Sequence, residues 1–143
     1  MIQRIQSIYL LLASVCSFAL FKLPFASVQG TVSESALFSN DSIYNLNDNV
    51  GLLGIFVVTG IIALVAIFLF NNRVRQKLIA TIAAYLNIAG VAFAFFLLYR
   101  DASAGVNYGF GFILTAVSII LTFLAVKAIS NDQKLVSESD RLR

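Results

Sequence analysis

Apolar positions along this chain gather into four long runs. They run from about Ile5 to Phe21, from Val50 to Phe70, from Leu78 to Tyr99, and from about Tyr108 to Val126. The first two contain no charged residue. About 20 apolar residues in a helix cross the hydrocarbon core of a bilayer. Four such runs in a chain of 143 residues cannot fully bury one another. The pattern therefore predicts an all-α fold: an antiparallel bundle of four transmembrane helices in one membrane domain over 1–143. Its spans fall at about 5–22, 50–70, 78–99 and 108–127.

The connections between the runs are polar and unequal. Residues 23–49 form an expected outer loop rich in Ser and Asn, carrying Glu34, Asp41 and Asp48. Pro24 opens it and is expected to end the first helix there. Val32–Leu37 and Asp41–Leu46 carry enough apolar residues for short amphipathic pieces, which makes the loop either a docking surface or a linker. Asn71–Lys77 is short and basic, and Arg100–Asn107 is short and holds Asp101 and Gly105. The mixed-charge tail, 130–143, either extends the fourth helix or lies on the membrane surface. If helical, it places Leu135, Ser139 and Leu142 on one face, where a partner can dock.

Charge sets the orientation. With both termini cytoplasmic, the inner side holds Arg4, Arg73, Arg75, Lys77, Lys127, Lys134, Arg141 and Arg143, eight of the ten basic residues, and the outer side holds Lys22 and Arg100. The positive-inside rule selects this arrangement over its inverse. A cleaved signal peptide is the rival for the first run, with Arg4 as its basic region and Leu12–Cys16 resembling a lipoprotein cleavage box. Val15 stands where such a box needs a small residue, and the apolar run continues past Cys16.

Within the runs, small and polar residues recur at helical spacing, the mark of helix contact in lipid. Ala80, Ala83, Asn87, Gly90 and Ala94 share a face of the third, opposite Ile82, Phe93 and Phe96. Gly111, Thr115, Ser118, Thr122 and Ala125 repeat this in the fourth. The first offers Gln3, Ser7, Ser14 and Ser17, and the second Gly60 and Ala63, with Gly51 and Gly54 toward its outer end. Asn87 is the most polar mid-span side chain. Unpaired in hydrocarbon it costs several kcal/mol, so it is expected to face the other helices and bond a hydroxyl or carbonyl. Two readings stay open for it and for the Ser/Thr stripes: packing glue or the lining of a solute path.

Composition narrows the chemistry. The chain is 59% hydrophobic and 12% charged, with a mean hydropathy of +0.90, against roughly 25% charged residues in soluble domains. It has no histidine and one cysteine, Cys16, so the commonest general base and an intramolecular disulfide are both absent, and no zinc site can be assembled around Cys16. There is no Gly-rich phosphate loop, no nucleophile elbow and no paired carboxylate site. We therefore expect no enzyme activity, no catalytic residue, no metal and no cofactor. The net charge of +3 comes from residues flanking apolar runs, which fits topology and not nucleic acid. No ionisable side chain lies mid-span, against a proton-coupled pump. Lys22, Arg100 and Lys127 can snorkel from span ends. Tyr9, Tyr99 and Tyr108 suit an interface, and Tyr85 suits packing. Arg73, Arg75 and Lys77 serve topology or hold anionic lipid. Asn40-Asp41-Ser42 matches a glycosylation acceptor and places Ser42 in a short O-glycosylation pattern, a weak signal. Gly109-Phe110-Gly111 is too short to indicate a nucleotide site.

The opening Met1–Leu12 and the closing Lys134-Leu135-Val136 with Ser139–Arg143, together with Arg73, Gln76-Lys77-Leu78 and Tyr108-Gly109, resemble a Bacteroidota family of small four-helix inner-membrane proteins of unknown function. The resemblance covers the whole chain. It departs where Phe112-Ile113-Leu114 replaces a proline expected soon after the fourth-span glycine. It implies location and topology, with no activity or catalytic residues.

The leading expectation is a non-catalytic accessory subunit or scaffold of a larger inner-membrane complex, in contact with lipid and with a membrane-protein partner or further copies of itself. The alternative is a small oligomeric carrier or pore lined by Asn87 and the Thr115/Ser118/Thr122 stripe. A lipid-handling enzyme is a distant third, since no nucleophile–base pair can be named.

Overall fold

A computed structural model of the chain describes residues 2–28, 43–101 and 106–141. The fold is mostly helical: α1 (Ile2–Ala19), β1 (Ala26–Val28), β2 (Ile43–Tyr44), a 3-10 turn (Leu46–Asp48), α2 (Val50–Phe68), α3 (Arg73–Asp101), β3 (Val106–Tyr108) and α4 (Phe110–Arg141).

Each helix starts or stops for a local reason. Asn49 caps α2, its side-chain oxygen accepting from the Leu52 N–H at 3.1 Å. Asn72 does the same for α3, accepting from the Arg75 N–H at 3.2 Å. Both caps satisfy a backbone donor that the first helical turn leaves free. α1 ends in a turn in which the N–H groups of Phe21 and Lys22 reach back to the carbonyls of Phe18 and Ala19. Pro24 follows, two residues before β1 begins.

Helix limits and apolar limits do not coincide. α3 begins at Arg73 and takes in the basic stretch before Leu78, and α4 runs to Arg141 through the polar tail. The polar tail therefore extends the fourth helix over its described residues. A hydropathy boundary marks where apolar side chains stop, whereas a helix continues as long as its backbone bonds do. Among the described residues, three helices, α2, α3 and α4, are long and apolar enough to cross a membrane, and α1 ends in its turn at Leu20.

The helices pack as a ring in chain order, with α4 closing onto α1. Every adjacent pair is antiparallel. Ser14 meets Gly60, Phe56 meets Gly90, Asn87 meets Ser118, and Gln6 meets Ala128. The start of α1, the α2–α3 turn and the end of α4 consequently share one end of the ring, where the basic residues collect.

At the opposite end lies a small sheet, ordered β2-β1-β3 and antiparallel throughout. Nothing in the reading of 23–49 as a loop and 100–107 as a short connection anticipates it. Ala26 pairs with both Tyr44 and Tyr108. Tyr108 belongs to β3 and not to the fourth helix. Beneath the sheet sits an apolar cluster that includes Leu20, Phe25, Tyr44, Leu46, Leu52, Phe56 and Leu97. A second cluster, Leu10, Ala66, Ala80, Ala125 and Ile129, fills the basic end.

Candidate functional site

Between the two apolar clusters the interior turns polar. Ser14, Ser17, Thr59, Asn87, Thr115, Ser118 and Thr122 are all buried. These residues sit inside because helical spacing stacks them on one face of each helix, while the opposite faces carry the bulky apolar residues. The five predicted contact residues of α3, Ala80 through Ala94, are all buried, as are Gly111, Thr115, Ser118, Thr122 and Ala125 of α4. In α1, Ser14 and Ser17 are buried and Ser7 is half-buried, whereas the side chain of Gln3 lies outside the described residues.

One chain of hydrogen bonds ties this layer together. The Asn87 amide donates to the Ser118 hydroxyl at 3.1 Å. Ser118 donates onward to the Ala13 carbonyl of α1 at 3.2 Å. One residue later, Ser14 donates to the Gly60 carbonyl of α2 at 3.0 Å. Three side chains thereby link α3 to α4, α4 to α1, and α1 to α2. Asn87 thus finds the hydroxyl partner that its polarity demands. Its other amide atom, Oδ1, is buried without a hydrogen-bond partner.

The remaining hydroxyls turn back on their own helices. Ser17 donates to the Ala13 carbonyl at 3.0 Å, Thr59 to Ile55 at 2.7 Å, and Thr122 to Ser118 at 2.9 Å. Thr115 bonds the carbonyl of Gly111 in the same way. This i to i−4 bonding satisfies a hydroxyl without any partner helix. Of the Thr115/Ser118/Thr122 stripe, the two threonines thus bond their own helix and Ser118 bonds α3 and α1. Ala83 and Gly90 lie on the Asn87 face, and Gly90 leaves room for the Phe56 ring, which a Cβ would meet at 2.9 Å.

A second polar cluster closes the basic end. Gln6 donates to the Ala128 carbonyl at 3.2 Å, and the Lys77 ammonium donates to Ser130 at 3.1 Å. Arg73 Nε and Asp132 Oδ2 form an ion pair at 3.1 Å. The approach is close, but its angle is not that of an in-line hydrogen bond. Of the three residues assigned to topology or anionic lipid, Arg73 and Lys77 are thus held by α4, and Arg75 alone stands exposed. Sequence reading missed the Arg73–Asp132 pair. The available signal was Asp132, the acid of the inner side nearest the fourth apolar run, at a position that the antiparallel register sets against the start of α3.

Tyr85, expected to pack, is instead 67% exposed. It lies on the outer side of α3, two residues from both Ala83 and Asn87 and so across the helix from the small-residue stripe. The other missed feature is the glycine pair at the start of α4. The Gly109 N–H donates to Phe25 O at 2.7 Å and the Gly111 N–H to Pro24 O at 2.9 Å. A Cβ on Gly109 would lie 2.4 Å from the Pro24 oxygen, so close backbone approach explains both glycines. The Ser42 acceptor and Val32–Leu37 lie outside the described residues.

No curated protein and no solved structure matches this chain. A family described as a domain of unknown function, DUF4293, matches residues 2–142. The chain belongs to that family.

Proposed function

We propose that the protein is a multi-pass integral membrane protein of a bacterial inner membrane, with both termini cytoplasmic, acting as a non-catalytic accessory subunit or scaffold. The membrane reading rests on an inversion of ordinary burial. Polar residues such as Asn87, Thr59 and Ser118 are fully buried, while Ile8, Val15, Val58, Ile61, Val65, Ile113, Ile120 and Phe123 are exposed. A soluble monomer rarely exposes apolar patches of this extent, whereas acyl chains match them. The cytoplasmic assignment follows the collection of basic residues at one end of the ring.

The observation that carries the scaffold reading is the use of the interior polar groups. Ser14, Ser118 and one side of Asn87 are spent joining helices, and the threonines on their own carbonyls. Such bonds make a rigid unit with broad apolar outer faces for lipid, a membrane-protein partner or further copies of the chain. Purification from native membranes in mild detergent tests it. Reproducible recovery in a larger assembly supports the subunit, and recovery as free monomer counts against it.

The second reading is a small oligomeric carrier or pore, favoured by the buried, unpartnered Oδ1 of Asn87. A lone oligomer that passes solute in liposomes supports it. Asn87→Leu separates the two. Reduced accumulation marks a packing role, and normal accumulation with complete loss of flux marks a path.

A further inference from the structure

We propose that an open groove between α1 and α4, at the basic end, holds an anionic phospholipid; this rests on the membrane-spanning reading. The groove measures about 470 Å³. Ile5, Tyr9, Leu124 and Leu135 form its walls, and Lys127 and Asn131 supply its polar groups. Its floor is sealed by the seam in which Gln6 bonds the Ala128 carbonyl.

The arrangement matches a lipid in three respects. Leu124, Lys127, Asn131 and Leu135 recur at steps of three and four, so one face of α4 lines the groove along its length. Lys127 and Asn131 stand where the apolar part of α4 gives way to its polar extension, the level of phosphate groups in a leaflet. Lys127 is exposed and makes no ion pair among the described residues, whereas Arg73 and Lys77 at the same end are engaged by α4. An acyl chain fits beside Tyr9 and Leu124 while its phosphate meets the Lys127 ammonium. A second copy of this chain fits less well, because two-fold packing across the groove would set Lys127 against its own counterpart.

The test uses full-length protein in mild detergent, equilibrated with equal amounts of phosphatidylglycerol and phosphatidylcholine, with retained lipid read by native mass spectrometry. The expected result is a preference of about fivefold for phosphatidylglycerol in the wild type, as one lysine near the headgroups supplies. Lys127→Gln should bring the preference close to parity. Lys127→Arg should keep it, as should Lys134→Gln, which removes another exposed charge of α4. Parity in the wild type, a preference that survives Lys127→Gln, or equal loss in Lys134→Gln overturns the site. Flotation with phosphatidylcholine vesicles is read in parallel. Protein that fails to float overturns the membrane reading and the site with it, whereas protein that floats without headgroup preference overturns the site alone.

Discussion

The Asn87 side chain donates to the Ser118 hydroxyl at 3.1 Å, and that hydroxyl is already committed as donor to Ala13. A hydroxyl has one proton, so Ser118 can only accept from Asn87, which fixes the amide with Nδ2 toward α4. The two residues therefore behave as one unit that orients α3 against both α4 and α1.

If so, their energies are coupled. Asn87→Ala and Ser118→Ala should each lower stability, and the double variant should lose less than the sum by about 1 kcal/mol, the range of interhelical hydrogen bonds in lipid. Unfolding of all four proteins in mixed detergent micelles measures the difference. Strict additivity would dissolve the unit.

Two glycines should respond in opposite directions. Gly109→Ala brings a Cβ against the Pro24 carbonyl and should cost about 1–3 kcal/mol, as overpacking does. Gly54, inside α2, has nothing within 4 Å of a new Cβ. Gly54→Ala should stabilise by up to about 1 kcal/mol through helix propensity. The same unfolding assay checks both, and a stabilised Gly109→Ala would contradict the close approach of the 24–25 backbone.

The Arg73–Asp132 pair sets a partly exposed guanidinium against a buried carboxylate at the basic end. Its visible effect should be local. Asp132→Asn should speed amide hydrogen exchange over residues 130–141 while leaving 110–125 unchanged. Uniform exchange in both segments would remove the pair from the account of why α4 extends so far.

Orientation is open to chemical labelling. In a Cys16→Ser background, Ser137→Cys and Asn47→Cys each place an exposed thiol at opposite ends of the ring. An impermeant maleimide applied to intact inner-membrane spheroplasts should label position 47 and spare position 137. The reverse pattern inverts the proposed topology.

Much of the interior was legible in the sequence, because a period of 3.6 residues sorts small and polar side chains from bulky ones without any knowledge of neighbours. The stripes through Asn87 and Ser118 follow from that alone. Tyr85 falls two residues from both Ala83 and Asn87, across the helix from the stripe, so the same period already points it outward and the expectation that it packs ran against that pattern. The sheet was invisible for another reason. Ala26 pairs with Tyr44 and Tyr108, and strands of two or three residues carry no periodic signal of their own. Gly109 and Gly111 gave a hint of close backbone contact but could not name Pro24 and Phe25 as what they approach. The Arg73–Asp132 contact required the register between α3 and α4, which no local pattern encodes.

The central position of β1 in its sheet also sets an order of events. Its hydrogen-bonding edges are completed by segments made later, and the last, Val106–Tyr108, emerges from the ribosome only after three of the helices. Until then Ala26 and Ser27 have no partner on that side, and Pro24 and Phe25 have no glycine pair to receive. The strand is a clasp that stays open through most of synthesis, and the arrival of α4 is what fastens it.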